Sequence, residues 1–328
     1  MSGVEVLGAA LDIDDPGGMA AEMAEQIRRD CRRWGRRRAV VAVSGGIDSA
    51  VCLALATTGL GPERVDALYL PDRDSSPTSV GFAQEVAASC GIPLVVKDIT
   101  PVLNTLGCYD ELNLLAAESF GGFDASSDGI RTEFAVDLER PDALSTYEIV
   151  HVRDGNEVAR QPVGDLLLRR LLAATNLKQR VRMLCTYQAA EMGRGVVINT
   201  TNRQELLQGF FVKYGDGAGD SAPLHSLYKA QVRRLGAALA VPPSVQARTS
   251  TTDTYSAQQS QAQFFFGMPE RVADAALAAV ELGIQPRDLA TFIERSEVYA
   301  VGAIRLIQRR LRLSTYNRSF LNQTGAGP

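Results

Sequence analysis

The chain has 328 residues, 45% of them hydrophobic and 22% charged, with a formal net charge of −4. This composition excludes a disordered chain, its apolar runs are short of the ~18 residues a membrane span needs, and its acidic balance speaks against a dedicated nucleic-acid binder. The first residues lack the basic start of a secretory signal, so a cytoplasmic protein without a membrane partner is expected.

A polar N-terminal segment leads to a helix over about 18–34. Residues 39–43 (Ala-Val-Val-Ala-Val) form a short apolar, β-branched run followed at once by glycines, the pattern of a buried strand. A helix over 50–57, a strand over 65–70, a helix over 80–90 and a strand over 94–99 follow. This alternation predicts an α/β fold: a doubly wound parallel sheet with helices on both faces. From about 112 to 163 the rhythm breaks. Residues 147–152 and 157–161, joined through Asp154-Gly155, have the signature of a β-hairpin, here an insertion. The alternation resumes with a helix over 166–192, a strand over 195–200, a Gly-rich loop over 209–219 and a helix over 227–239. Helical stretches at 269–282 and 286–313 complete one domain over 1–328, with a C-terminal tail at 314–328.

Five scattered cysteines (Cys31, Cys52, Cys90, Cys108, Cys185) form no Cys-x-x-Cys pair, so neither a disulfide framework nor a structural zinc site is expected. His151 and His225 are the only histidines. Chemistry must come from carboxylates, hydroxyls, backbone amides and basic side chains. Thirty arginines stand against four lysines (Lys97, Lys178, Lys213, Lys229), so a lysine kept in this background is informative. The seven arginines between Arg28 and Arg38 are read as a solvated helix face. Phe264-Phe265-Phe266 is read as core or dimer interface and Cys185 as buried packing.

Ser44-Gly45-Gly46-Ile47-Asp48-Ser49 lies between the first strand and its helix. Two glycines allow a tight turn and close approach to a ligand, and the helix N-terminus favours an anion. Asp48 would repel a bare phosphate but suits one bridged by Mg²⁺. The turn is neither a Walker-type phosphate loop nor a Gly-x-Gly-x-x-Gly dinucleotide turn. It resembles the SGGxDS pyrophosphate loop of the N-type ATP pyrophosphatases, which cleave ATP to AMP and pyrophosphate.

Asn199-Thr-Thr-Asn202-Arg-Gln-Glu205, with Gly209-Phe-Phe-Val-Lys213-Tyr-Gly-Asp216-Gly-Ala-Gly-Asp220, resembles the GTxNxxE…GyfTKYGDGaaD segment of NAD synthetases. Lys229-Ala-Gln231-Val232, Asn176-Leu-Lys-Gln-Arg180-Val-Arg182-Met183 and Pro71 with Ser75-Ser76 are similar to further segments of that family, in the same order. The resemblance implies the adenine nucleotide alpha-hydrolase-like fold. It also departs in places: Asn199 replaces the family glycine and Val212 its threonine. Arg248 to Tyr255 replaces a Pro-Ser/Thr-Ala segment, and the C-terminal His-Lys-Arg is replaced by Gln308-Arg-Arg-Leu-Arg312.

The resemblance assigns the loop Ser44, Gly45, Gly46, Ile47, Asp48 and Ser49, together with Thr200, Lys229 and Thr251, to ATP. Glu205 supplies a second carboxylate to Mg²⁺ opposite Asp48. Arg180, Lys213 and Asp220 fall to the carboxylate-bearing substrate, where a cation offsets charge that repels the α-phosphate. Lys213, Asp216 and Asp220 are the catalytic candidates, Asp216 orienting Lys213 or deprotonating ammonium. The implied activity is an ATP-dependent amide synthetase: a carboxylate, by default nicotinic acid adenine dinucleotide, is adenylated with release of pyrophosphate. Ammonia then displaces AMP. A related enzyme amidating another acid is the alternative, and a tRNA-modifying pyrophosphatase a third reading that lacks its cysteine pair. A glutaminase domain would need roughly 250 residues ahead of the loop, whereas 43 precede it. Free ammonia or a separate glutaminase subunit is therefore the expected nitrogen source, and the resemblance implies a homodimer.

Overall fold

The computed structural model describes residues 1–252 and 254–319. Helices α1 (Gly3–Leu11) and α2 (Pro16–Arg33) precede the alternating β1 (Arg38–Ala42), α3 (Ile47–Leu60), β2 (Val65–Tyr69), α4 (Ser79–Ser89) and β3 (Leu94–Val96). Next come α5 (Thr100–Thr105), α6 (Cys108–Ser119), β4 (Asp128–Ala135), β5 (Thr146–Arg153) and β6 (Asn156–Pro162). They are followed by α7 (Asp165–Gly193), β7 (Gly195–Val197), α8 (Arg203–Gln208), α9 (Lys229–Ala238) and α10 (Pro243–Gln246). A short pair, β8 (Thr251–Thr252) and β9 (Gln259–Ser260), and a π-helical turn at Ala262–Phe266 lead to α11 (Glu270–Leu282), α12 (Pro286–Ile293), α13 (Glu297–Leu313) and α14 (Thr315–Arg318).

The central sheet has the order β3-β2-β1-β7, and every neighbouring pair is parallel. Such a sheet is buried on both faces, which is why β1 is a continuous apolar run. Ala39, Val41 and Val43 face a core with α2, α3, α4 and α9, through Ile27, Leu53, Val86 and Leu235. Val40, Leu68 and Val197 face a second core with α6 and α7, through Leu112, Leu115, Leu171 and Val181. The doubly wound reading is therefore what the chain builds. A third core joins α1, α11, α12 and α13 through Leu7, Leu277, Leu289 and Ile307.

The expected hairpin is the β5–β6 part of a three-stranded antiparallel sheet, with β4 as its third member. Its turn places Asp154 at φ 51° and Gly155 at φ 76°, both left-handed, which is why Asp-Gly stands there. Ile130 and Ile149 anchor this sheet to the second core. The stretch expected as one helix over 286–313 is two, because Glu294 turns left-handed at φ 58° and Ser296 caps α13 by accepting from Tyr299 N. The expected tail begins with α14, and residues 320–328 lie outside the described residues.

Candidate functional site

Strand order reverses at β1, with β2 on one side and β7 on the other. The crevice beyond the carboxyl ends of β1 and β7 is the place where open α/β sheets bind ligands. A cavity of about 480 Å³ opens there. It is lined by Ser44, Gly46, Ile47, Asp48 and Ser49 after β1, by Asn199, Thr200, Thr201 and Glu205 after β7, and by Asp216, Lys229, Thr251 and Thr252. Gly45, at φ 77°, lies behind this wall, where an added Cβ would come within 2.8 Å of Phe82 Cβ and 2.9 Å of the Ser79 carbonyl. The turn is pinned from within: the Ser49 hydroxyl donates to Gly46 O at 3.0 Å and accepts from Ser44 N at 3.2 Å.

Asp48 and Glu205 come from opposite sides of the switch point, and Asn202 aligns them. Its Nδ2 donates to Asp48 Oδ1 at 3.1 Å, and its Oδ1 accepts from Glu205 N at 3.1 Å. Glu205 Oε2 in turn accepts from Asn202 N at 3.1 Å, a capping box that fixes the Glu205 rotamer at the start of α8. The Lys229 ammonium donates to Asp48 Oδ2. Burial, and then the neighbouring Asp48 charge, push the Glu205 carboxyl up to about 8. This pair of hard oxygen donors facing a cavity suits Mg²⁺, which takes one or two carboxylates and completes its shell with phosphate oxygens and water. Among the described residues no cluster of three or more His, Cys, Asp or Glu forms an all-protein metal cage.

Asp216 accepts from Val212 N at 2.6 Å, and burial pushes its carboxyl up to about 6. Asn199, standing at the family glycine, is fully used. Its Nδ2 donates to the carbonyls of Asp216 and Ala218, both at 2.9 Å, and its Oδ1 accepts from Thr201 N at 2.8 Å. The substitution thus staples the loop before Asp220 to the end of β7.

Apart from Gly45 behind the wall, the expected site residues that do not line the cavity are Arg180, Lys213 and Asp220. Arg180 Nε donates to the Lys213 carbonyl at 3.3 Å, and the Lys213 ammonium stands 4.6 Å from the Tyr316 ring centre. Asp220 accepts from Val197 N at 2.8 Å and from the Tyr187 hydroxyl at 3.3 Å, so it closes the end of β7. Along the 209–220 turn Val212 and Asp216 line the cavity while Lys213 and Asp220 do not, and Arg180, on α7, is tied to the Lys213 carbonyl outside it.

Three further features shape the site. Lys178, 1% exposed, donates to Asp74 Oδ2 at 2.6 Å and approaches Asp72 Oδ1 at 3.5 Å, while Arg182 Nη2 meets Asp72 Oδ2 at 2.8 Å. The scarcity of lysine was the available signal. Thr132 of β4 and Tyr147 of β5 reach the cavity, so the inserted sheet forms part of its wall. Phe264 and Phe265, read as core or interface, also line it, with Phe210 stacked on Phe265 at 4.7 Å.

The sequence model of the NAD synthase family matches residues 19–118 and 143–319. The NH(3)-dependent NAD(+) synthetase of Rhizobium rhizogenes is 36% identical over 300 residues, covering 90% of this chain and 87% of the relative. That of Rhizobium meliloti is 35% identical, covering 82% and 80%. Among solved structures, the NMN synthetase of Francisella tularensis superposes with a TM-score of 0.62 at 21% identity, covering 94% of this chain and 97% of its own. The NH3-dependent NAD synthetase of Campylobacter jejuni superposes with 0.59 at 18% identity, covering 93% and 96%. The two structures share the fold of this chain.

Proposed function

This chain belongs to the NAD synthase family, and we propose that it performs the reaction for which its closely related sequences are named. It is an ATP-dependent ligase that forms a C–N bond: nicotinic acid adenine dinucleotide is adenylated on its carboxylate and aminated by ammonia to NAD. The observation that carries this reading is the meeting, at one switch point, of the SGGIDS turn, the Asp48–Asn202–Glu205 trio and Lys229. Agreement among the relatives' names supports the dinucleotide over another carboxylic acid.

In the first step a carboxylate oxygen attacks the α-phosphorus, and the bond to the β-phosphate oxygen breaks. The Ser44 and Ser49 hydroxyls and the start of α3 cradle the departing phosphates, with Lys229 supplying a cation and Thr200 and Thr251 hydroxyls. Asp48 and Glu205 would hold Mg²⁺, which when bound offsets phosphate charge. In the second step ammonia attacks the acyl carbon and AMP leaves. Asp216, ionised at neutral pH, holds ammonium and takes its proton. The family resemblance assigns Arg180, Lys213 and Asp220, which lie outside the cavity wall, to the acyl substrate. We further place the enzyme in the cytoplasm as a homodimer, using free ammonia or a separate glutaminase. Among the described residues no helix is long and apolar enough to cross a membrane.

The test is direct. Purified protein with ATP, Mg²⁺, ammonium and nicotinic acid adenine dinucleotide should form NAD with kcat/KM of about 10⁴ M⁻¹s⁻¹ or more. A rate several decades lower, with another acid releasing pyrophosphate quickly, would overturn the assignment of the acid.

A further inference from the structure

Four cations line the cavity: Lys178, Arg182, Lys229 and Arg248. Three are matched by carboxylates, Lys178 and Arg182 by Asp72 and Asp74, and Lys229 by Asp48. Arg248 differs. Among the described residues its hydrogen-bond partners are neutral: Nη1 donates to the Gly45 carbonyl at 3.1 Å, and Nη2 to Ser79 Oγ at 2.8 Å. Its guanidinium carbon lies 4.8 Å from the Phe82 ring centre, so an aromatic face orients its plane.

These contacts fix where the charge sits. Gly45 packs against the same two residues, Ser79 and Phe82, that hold Arg248. The guanidinium is therefore clamped to the turn read as the phosphate cradle, at the cavity wall. Among the described residues two of its five N–H groups are used, and three remain. A planar fork with free donors beside a Gly-Gly turn matches two oxygens of a phosphoryl group better than an ammonium does.

We propose that Arg248 is a further ligand of the β- and γ-phosphoryl groups of ATP and of the pyrophosphate that leaves. The inference rests on the reading above that ATP is cleaved between its α- and β-phosphates. As that bond breaks, its electron pair goes to the bridging oxygen, and charge accumulates on the pyrophosphate. The Lys229 charge is shared with Asp48, whereas the Arg248 charge is offset by no carboxylate among the described residues. Arg248 therefore stabilises the product that carries the negative charge, and it does not touch the AMP half.

The experiment is calorimetric titration of the full chain with inorganic pyrophosphate and, separately, with AMP, both in Mg²⁺. Arg248→Gln should weaken pyrophosphate binding by about tenfold or more while AMP binding stays within about twofold, and Arg248→Lys should fall between. Ser79→Ala removes one clamp of the guanidinium but keeps its charge, and should retain most of the pyrophosphate affinity. Unchanged pyrophosphate affinity in Arg248→Gln would overturn the proposal. So would an equal loss of AMP and pyrophosphate affinity, which marks a residue that only holds the turn together. Wild-type turnover yielding ADP and orthophosphate would instead overturn the functional reading itself.

Discussion

Lys229 and Asp48, 181 positions apart in sequence, form an ion pair that joins the first residue of α9 to the second of α3. Lys229 is 2% exposed. Burial alone would push its ammonium down, but Asp48, Glu205 and Glu270 outweigh that and raise it. The cation is therefore in place before any nucleotide arrives, balanced against the carboxylates that would otherwise repel triphosphate.

Replacing Lys229 with Met leaves two carboxylates and an incoming triphosphate without that charge. Transition-state stabilisation of about 3 kcal/mol should be lost, so kcat/KM for ATP should fall by roughly 100-fold or more. Steady-state kinetics measure this, with far-UV circular dichroism showing the fold intact. A loss below about tenfold would remove Lys229 from the reaction.

Lys178→Met tests the second buried ion cluster. The Asp72 side chain is fully buried and that of Asp74 is 4% exposed, so the change strands two carboxylates. Arg182 keeps Asp72 partly matched, and among the described residues Asp74 retains only the partly exposed Arg73. Breaking such a cluster costs about 3–5 kcal/mol. Urea unfolding should show this loss, and adding Asp74→Asn should restore part of it. A cost under about 1 kcal/mol would show the cluster to be solvated in solution.

The third expectation concerns pH. Burial holds the His225 imidazole down to about 4, and its Nε2 lies 3.1 Å from Asn199 Oδ1. Between its ordinary value near 6.5 and about 4, the unfolded chain binds a proton that the folded chain refuses. Stability from this group therefore falls as pH drops through that window and is unaffected above it. Asp216 and Asp274, pushed by burial up to about 6 and about 7, act in the opposite sense, since the folded state holds their protons longer. The reading is thus the difference between wild type and His225→Gln, which should shift by up to about 3 kcal/mol in favour of the variant between pH 7 and pH 4. A flat difference would contradict a buried neutral histidine.

Thr132→Val tests the inserted sheet. Among the described residues the Thr132 hydroxyl is buried at the cavity with the buried Tyr255 hydroxyl beside it, and neither is in a well-formed hydrogen bond. Such a group costs stability unless a ligand satisfies it. The variant should unfold within about 1 kcal/mol of wild type, raise KM for the dinucleotide acid and leave KM for ATP unchanged. A rise in KM for ATP alone would assign this wall to the nucleotide.

Much of the fold was legible because each βα unit of a parallel sheet is local: an apolar run, a glycine turn and a helix. The binding turns are equally local, and SGGIDS and Asn199–Glu205 could be placed at strand ends from sequence. What escaped had weaker or non-local signals. α1 falls in the stretch that reads as a polar segment, although Ser2 and Glu5 form a capping box there. β4 went unrecognised although Ile130, Thr132 and Phe134 alternate along it, the first two buried. The Lys178–Asp74 bond spans 104 positions and the Arg248–Gly45 bond 203, so only tertiary packing brings them together. Whether Lys213 lines the cavity likewise depends on how the 209–220 turn is stapled by Asn199.

The central claim is that a carboxylate oxygen attacks the α-phosphorus of ATP. Nicotinic acid adenine dinucleotide labelled with ¹⁸O in its carboxylate, turned over with ATP, Mg²⁺ and ammonium, reports this directly by mass spectrometry of the nucleotide products. The account predicts one labelled oxygen in AMP, none in pyrophosphate, and NAD as the amide. Unlabelled AMP, or ADP with orthophosphate, would contradict it.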